Sequence, residues 1–305
     1  MDNQPIPKEL FWNSHEIGKI DGFWYFVEAM DGTAAFRSGF EPRNDDVLLT
    51  SFTKTGTTWL KALCYNILDK EAGEDLLAKK NPHEVVPTLE NTFLKDQVQH
   101  MLLDSPPPRL LHTHLAYSCL PEVVRESGCK FVYLARNPKD TVVSMWHFYN
   151  KLLTRRGPEP FPLEGAVESF CNGVLPFGPF YEHVVGYWEE SRRRPEEVLF
   201  LKYEDLWREP KEQVKKLASF LGKSFSQLDG DGEVEKVLWR SSLDRLKELE
   251  VNKSGVGELN HVPNATFFRR GTVGDWKNHL TSQMAQRIDH LTRSKLQGTE
   301  LSLDD

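Results

Sequence analysis

Seven residues, Thr53-Lys54-Thr55-Gly56-Thr57-Thr58-Trp59, gather four hydroxyls, one lysine and one glycine. Such a loop can hold an anion: backbone N–H groups, the positive end of a following helix and the Lys54 charge all act on one negative group. It is not the Walker A loop, G-x-x-x-x-G-K-[ST], because Lys54 precedes the only glycine. The plainer alternative is that Gly56-Thr57-Thr58 does no more than start a helix. Two further groups stand far along the chain. Tyr133-Leu134-Ala135-Arg136-Asn137-Pro138-Lys139-Asp140 ends an apolar run on a guanidinium, the side chain best shaped for a terminal phosphate, and Ser144 lies two turns further on. Phe267-Phe268-Arg269-Arg270-Gly271-Thr272-Val273-Gly274-Asp275-Trp276 adds two guanidiniums beside a glycine. Three separate anion-binding elements suit a ligand with several phosphate-like groups. His114, at the end of the Arg109-Leu110-Leu111-His112-Thr113-His114 run, is a candidate general base, although a lone histidine is more often structural.

These residues need elements to position them. Val47-Leu48-Leu49-Thr50-Ser51-Phe52 reads as a strand, and beyond the loop Trp59, Leu60, Leu63, Cys64, Ile67 and Leu68 recur at helical spacing. Arg109-Leu110-Leu111-His112-Thr113-His114 follows three prolines and reads as a second strand. Cys129 to Ala135 gives a third, entering a helix with Asn137 as N-cap and Pro138 at its first position. Val198 to Tyr203 gives a fourth, before a helix in which Val214, Leu217, Ala218 and Leu221 share a face. Short strands that are apolar on both faces, alternating with helices, predict an α/β fold: one domain over 1–305, with a central parallel sheet flanked by helices. Residues 1–20 are read as an N-terminal segment. Stretches 155–162 and 252–266 carry Gly, Pro and Asn without periodicity and are read as loops over the site, the second expected to be mobile, with plain surface loops as the alternative.

Composition narrows the partners. In 305 residues, 39% hydrophobic and 27% charged, the net charge of −7 and a pI near 5.9 disfavour nucleic acid or an anionic membrane as partner. No signal peptide or membrane span is recognised, and Cys64, Cys119, Cys129 and Cys171 form no C-x-x-C pair, so a reduced cytoplasmic protein without a metal site is expected. Aromatic residues make up 11%, enough for some to line a pocket for flat ligands, although core filling is the simpler use.

Taken in order, the loop around Lys54, Thr113-His114, Arg136 to Ser144 and the Arg269 to Trp276 block resemble the cytosolic sulfotransferase family. Phe267-Phe268-Arg269, Lys80-Asn81-Pro82-His83-Glu84 and Gly178-Pro179-Phe180 are most similar to its plant branch. The resemblance, from about residue 20 onward, implies a P-loop nucleotide-kinase-like fold and a metal-free donor site. The donor would be 3′-phosphoadenosine 5′-phosphosulfate (PAPS) and the product adenosine 3′,5′-bisphosphate (PAP). By resemblance, Lys54, Thr55, Gly56, Thr57, Thr58 and Trp59 hold the 5′ side, Trp59 stacking on adenine. Arg136, Ser144, Arg269, Arg270 and Gly271 hold the 3′-phosphate, and Tyr203 and Ser242 lie around the base. His114 is implied as base, Lys54 and Ser144 as its catalytic companions through a Lys54–Ser144 hydrogen bond, and Phe148 as an acceptor-pocket aromatic. The implied acceptor is a small hydroxylated molecule: a flavonoid or other phenol, hydroxyjasmonate, steroid, strigolactone precursor or desulfoglucosinolate.

Four positions, in three places, depart from the family pattern. His112 stands where many animal members carry lysine, and Thr55 where serine is commoner. Ser282 and Gln286 replace the valine and glutamate of a dimer motif that Lys277 and Thr281 match, so a monomer or weak dimer is expected. A nucleotide kinase is the competing enzyme, disfavoured by the order of Gly56 and Lys54. A catalytically silent binder of 3′-phosphoadenosine nucleotides is the competing non-enzyme, against which stand Lys54 and His114.

Overall fold

The structure is a computed structural model that describes residues 6–68, 75–93, 102, 105–153, 159–225, 230–257 and 262–304. Four parallel strands form its centre in the order β5-β4-β6-β7: β4 (Val47–Ser51), β5 (Leu110–Thr113), β6 (Lys130–Ala135) and β7 (Val198–Lys202). All four fall where the apolar runs place them. Val47 pairs with both Leu110 and Lys130, and Phe131 pairs with Val198, so the carboxyl ends finish near one level. Every residue of β4 is buried, as a strand covered on both faces requires.

Side chains alternate between two layers with the strand period of two. Val47, Leu49, Val132, Leu134, Leu199 and Leu201 pack against Leu60, Leu63, Cys64 and Ile67 of the Thr57–Leu68 helix and against Val214, Leu217 and Ala218 of the Pro210–Phe220 helix. Leu48, Phe131, Tyr133 and Val198 face the other way, onto Phe180, Val184 and Tyr187 of the Phe180–Arg193 helix. The Pro138–Leu153 helix starts as expected, its Lys139 N–H donating to the Asn137 side chain at 2.9 Å.

The N-terminal segment carries an element absent from the sequence reading: an antiparallel meander of β1 (Lys8–Phe11), β2 (His15–Ile20) and β3 (Phe23–Phe26). Its second turn is Asp21-Gly22, both at positive φ, the hairpin chemistry that two-residue turns favour. Phe11, Trp12, Ile17 and Tyr25 join the larger core. Within 252–266, the described residues include the end of the Glu250–Ser254 helix, a Val256–Pro263 bridge and the first residues of a 3₁₀ turn at Asn264–Phe267. Residues 155–158 and 258–261, parts of the two stretches read as loops over the site, lie outside the described residues.

Candidate active site

The carboxyl end of each parallel strand delivers one candidate to a single cavity of about 380 Å³: Lys54 after β4, His114 after β5, Arg136 after β6 and Tyr203 after β7. Ligands of open α/β sheets bind at this edge, where the strand order reverses. Gly56, Thr57, Thr58, Trp59, Ser144, Phe148, Arg269 and Gly271 also lie on the wall. Among the described residues, no Asp or Glu does.

Local geometry explains the loop. Lys54 has φ +68° and Gly56 +111°. A Cβ at Gly56 would stand 2.6 Å from the Tyr203 ring, so glycine is required for both conformation and space. Thr55 turns its hydroxyl inward, between the carbonyl oxygens of Phe52 at 2.8 Å and Leu134 at 2.9 Å; it fastens the loop to β6 and is not on the wall. The Lys54 ammonium sits 4.0 Å above the Phe148 ring and 5.8 Å from that of Phe267. The expected Lys54–Ser144 hydrogen bond is therefore not formed here: the aromatic faces hold the ammonium. Burial, with Arg136 and Arg269 nearby, pulls the Lys54 pKa down to about 7.

Arg136 lies 4.4 Å over the Tyr203 ring and donates to the Thr272 carbonyl at 2.9 Å, while its Nε is buried without a partner among the described residues. Asp140 accepts from the N–H groups of Gly274 at 2.7 Å and Trp276 at 2.9 Å, tying the C-terminal block to the Pro138–Leu153 helix. Asp275 binds Arg269 and Arg270 together. Arg269 still faces the cavity, whereas Arg270 is more than half exposed and off its wall.

His114 is fixed on three sides. Its ring Nδ1 lies 2.8 Å from the Ser51 carbonyl, which can only accept, so Nδ1 carries the hydrogen and Nε2 keeps a lone pair. Its main-chain N–H donates to Glu90 at 2.7 Å, and its carbonyl accepts from His183 at 2.9 Å. Burial pulls its pKa down to about 3, partly offset by the Ser51 hydrogen bond, so the ring is neutral at pH 7.

A second, apolar pocket of about 290 Å³ adjoins the first and shares Thr58, Trp59, Tyr203, Leu243, Phe268 and Gly271 with it. Ser242 lines this pocket, where its hydroxyl caps the Leu243–Glu248 helix by accepting from Arg245 N–H at 3.3 Å. A cationic cavity joined to an apolar slot edged by Trp59 and Tyr203 fits a nucleotide with phosphate groups at one end and a flat base at the other. The sequence reading missed several wall residues, notably His83, which stacks on Phe267 at 4.1 Å, and Tyr149, His147 and Lys151. The helical period points to Lys151 and His147, which share a face with Ser144 and Phe148; no periodicity points to His83.

Residues 44–300 match the family described as Sulfotransferase domain. Cytosolic sulfotransferase 7 of Arabidopsis thaliana is 41% identical over 97% of this chain and 92% of its own length. Flavonol 3-sulfotransferase of Flaveria bidentis is 40% identical over 93% and 92%. Among solved structures, an Arabidopsis thaliana putative steroid sulphotransferase superposes with a TM-score of 0.77 at 32% identity, over 98% of this chain and 93% of that one. A mouse sulfotransferase complexed with PAP gives 0.71 at 28%, over 92% and 94%.

Proposed function

Because the chain belongs to the sulfotransferase family and is a PAPS-dependent enzyme, we propose that its cavity holds the donor between Lys54 and the arginines while His114 deprotonates the hydroxyl of a small lipophilic acceptor. The observation that carries this reading is the state of His114: a neutral ring, locked at Nδ1 by Ser51, whose free lone pair is on the same wall as Lys54. PAPS supplies an activated sulfuryl group. Everything else is the work of side chains.

Thr57, Thr58 and the N-terminus of the Thr57–Leu68 helix take the 5′ side; Arg136, Ser144 and Arg269 take the 3′-phosphate; Trp59, Tyr203 and Ser242 border the base. His114 Nε2 accepts the hydroxyl proton as the acceptor oxygen becomes nucleophilic. Lys54 supplies positive charge where the departing phosphate oxygen gathers negative charge. Phe148, Phe267 and Tyr149 give the remaining wall an aromatic surface, which with the flavonol relative favours a phenolic or similarly lipophilic acceptor. The enzyme works in the cytosol, in keeping with its relatives' names; among the described residues no helix is long and apolar enough to cross a membrane.

The experiment is transfer from labelled PAPS to a panel of phenols, hydroxylated acids and steroids, run with and without EDTA. Transfer to phenols with the chelator present is the expected result, because the donor's charge is met by lysine and arginine. Absence of transfer to every phenol, or a rate that collapses in EDTA and returns with magnesium, overturns the reading.

A further inference from the structure

Behind the phosphate loop lies a buried cation that this mechanism does not use. Lys61, one turn into the Thr57–Leu68 helix, is fully buried, and its ammonium has three neighbours: the Val86 carbonyl at 2.9 Å, Thr88 Oγ1 at 3.0 Å and His83 Nδ1 at 3.3 Å. An ammonium carries three hydrogens and no lone pair, so all three neighbours must accept. Burial pulls the Lys61 pKa down to about 7, while Glu90 of the adjacent Leu89–Thr92 helix acts in the opposite sense.

These roles propagate outward. His83 accepts at Nδ1, and burial keeps its ring neutral, so Nε2 carries the hydrogen and donates to Thr58 Oγ1 at 2.9 Å. Thr88 also accepts from Lys61, which leaves its own hydrogen for His112 Nδ1 at 3.1 Å. His112 Nε2 then donates to Ser51 Oγ at 3.2 Å, and Ser51 Oγ to Thr57 Oγ1 at 2.7 Å. Each chain ends at a threonine hydroxyl on the cavity wall whose oxygen is already accepting, so its hydrogen is left for the cavity. The reverse order would aim both chains at Lys61, which has no lone pair as an ammonium and only one as a neutral amine, so it cannot accept from both.

We infer that Lys61 is a positioning residue: it orients and polarises two hydrogen-bond chains so that the hydroxyl hydrogens of Thr57 and Thr58 face the 5′ anion of the donor. This rests on the reading that residues 54–59 hold that side of the nucleotide. A bound phosphate then meets hydroxyl dipoles already aligned, and aligned donors cost no reorganisation on binding. Ser51 also links this system to the base, since its hydroxyl is in the chain and its carbonyl receives His114 Nδ1–H.

Calorimetric titration of PAP and of adenosine 3′-monophosphate, which lacks the 5′ group, tests the reading and the inference separately. The Thr57→Val/Thr58→Val variant must lose affinity for PAP and keep it for the monophosphate; equal loss for both moves the 5′ phosphate off the loop and overturns both. Lys61→Met is expected to weaken PAP roughly tenfold, to change the monophosphate less than about twofold, and to add nothing in the double-valine background. An additive loss there, or equal loss for the two nucleotides while the double-valine variant behaves as stated, overturns the role of Lys61 alone. If Lys61→Met does not fold, each chain is cut singly: His83→Leu must be silent in Thr58→Val, and Thr88→Val silent in Thr57→Val. Additivity in both pairs overturns the inference.

Discussion

Strands β4 and β5 carry ionisable residues at both ends, and the two ends handle them differently. Before the strands, Arg109 and Asp46 form a buried two-pronged pair at 2.7 and 2.5 Å, and Arg109 also reaches the Glu41 carbonyl at 2.9 Å. Charge is matched there, and the pair closes on itself. After the strands, Lys54 and His114 share a cavity with Arg136 and Arg269 and no wall carboxylate among the described residues. The carboxylates that pair with the two arginines, Asp140 and Asp275, stand behind the wall, and Lys54 has aromatic rings rather than a carboxylate beside it, so burial and the nearby arginines pull its pKa down. Positive groups that face the cavity with their counter-charges behind it, at one end only, are what the proposed anion site requires.

If the carboxyl end is chemical and the amino end structural, substitutions should divide cleanly between rate and stability. His114→Ala should cut turnover on an aliphatic alcohol by roughly 10²–10⁴, the usual range for a general base, while leaving PAP affinity unchanged. Phenols already ionised near neutral pH should lose less. Rates across a phenol pKa series decide it: wild-type turnover on the least acidic acceptor, with PAP bound normally, would falsify the assignment. At the other end, Arg109→Met strands a buried Asp46 and should lower stability by about 3–5 kcal/mol, with kcat of the folded fraction unchanged. Urea denaturation measures the loss, and a drop below about 1 kcal/mol would show that Asp46 finds another partner.

Between these comes donor affinity. Arg136→Ala removes a charged donor from the wall and should raise the KM for PAPS about ten- to a hundredfold, at roughly 1.5–3 kcal/mol for a charge-assisted contact, with the acceptor KM little altered. A PAPS KM within twofold of wild type would remove Arg136 from the site.

The sequence made the strands and the Asn137 cap legible because those signals are local: an apolar run of five or six residues, or a capping residue before proline, acts on its own neighbours. For the same reason Lys54, His114 and Arg136 could be placed at strand ends and hence on one edge. The meander of β1 to β3 escaped because its strands are short and its apolar residues irregular, and its Asp21-Gly22 turn was identified only from the backbone. Lys61 was invisible for a different reason. A lysine amid Trp59, Leu60, Leu63 and Cys64 reads as a solvated interruption, and only the arrival of Val86, Thr88 and His83 from a later segment makes its burial tolerable. The place of the Lys54 ammonium over Phe148 was not legible either, because side-chain conformation depends on the aromatic rings overhead, which spacing does not reveal.

The smallest expected effect sharpens the comparison by giving one residue opposite signs in two measurements. With its pKa near 7 in the free enzyme against an ordinary value of 10.5, Lys54 is largely uncharged above pH 7. Binding an anion favours the charged form, so above pH 7 it must draw in a proton, and PAP affinity should fall by at most tenfold per pH unit between about 7 and 9. Ligand titration does not interfere, because a phosphate's second pKa is near 6. Folding responds in the other direction. Over the same interval the unfolded chain holds the proton that folded Lys54 has lost, so the free protein gains stability from this group as pH rises; Lys61 adds to the gain. Lys54→Met should therefore flatten the pH dependence of PAP binding and remove only its own share of the stability gain, leaving the share of Lys61. Calorimetry and urea denaturation at pH 7, 8 and 9 read both slopes. An unaltered slope of PAP affinity in Lys54→Met would assign the proton to another group and separate Lys54 from the donor's anion.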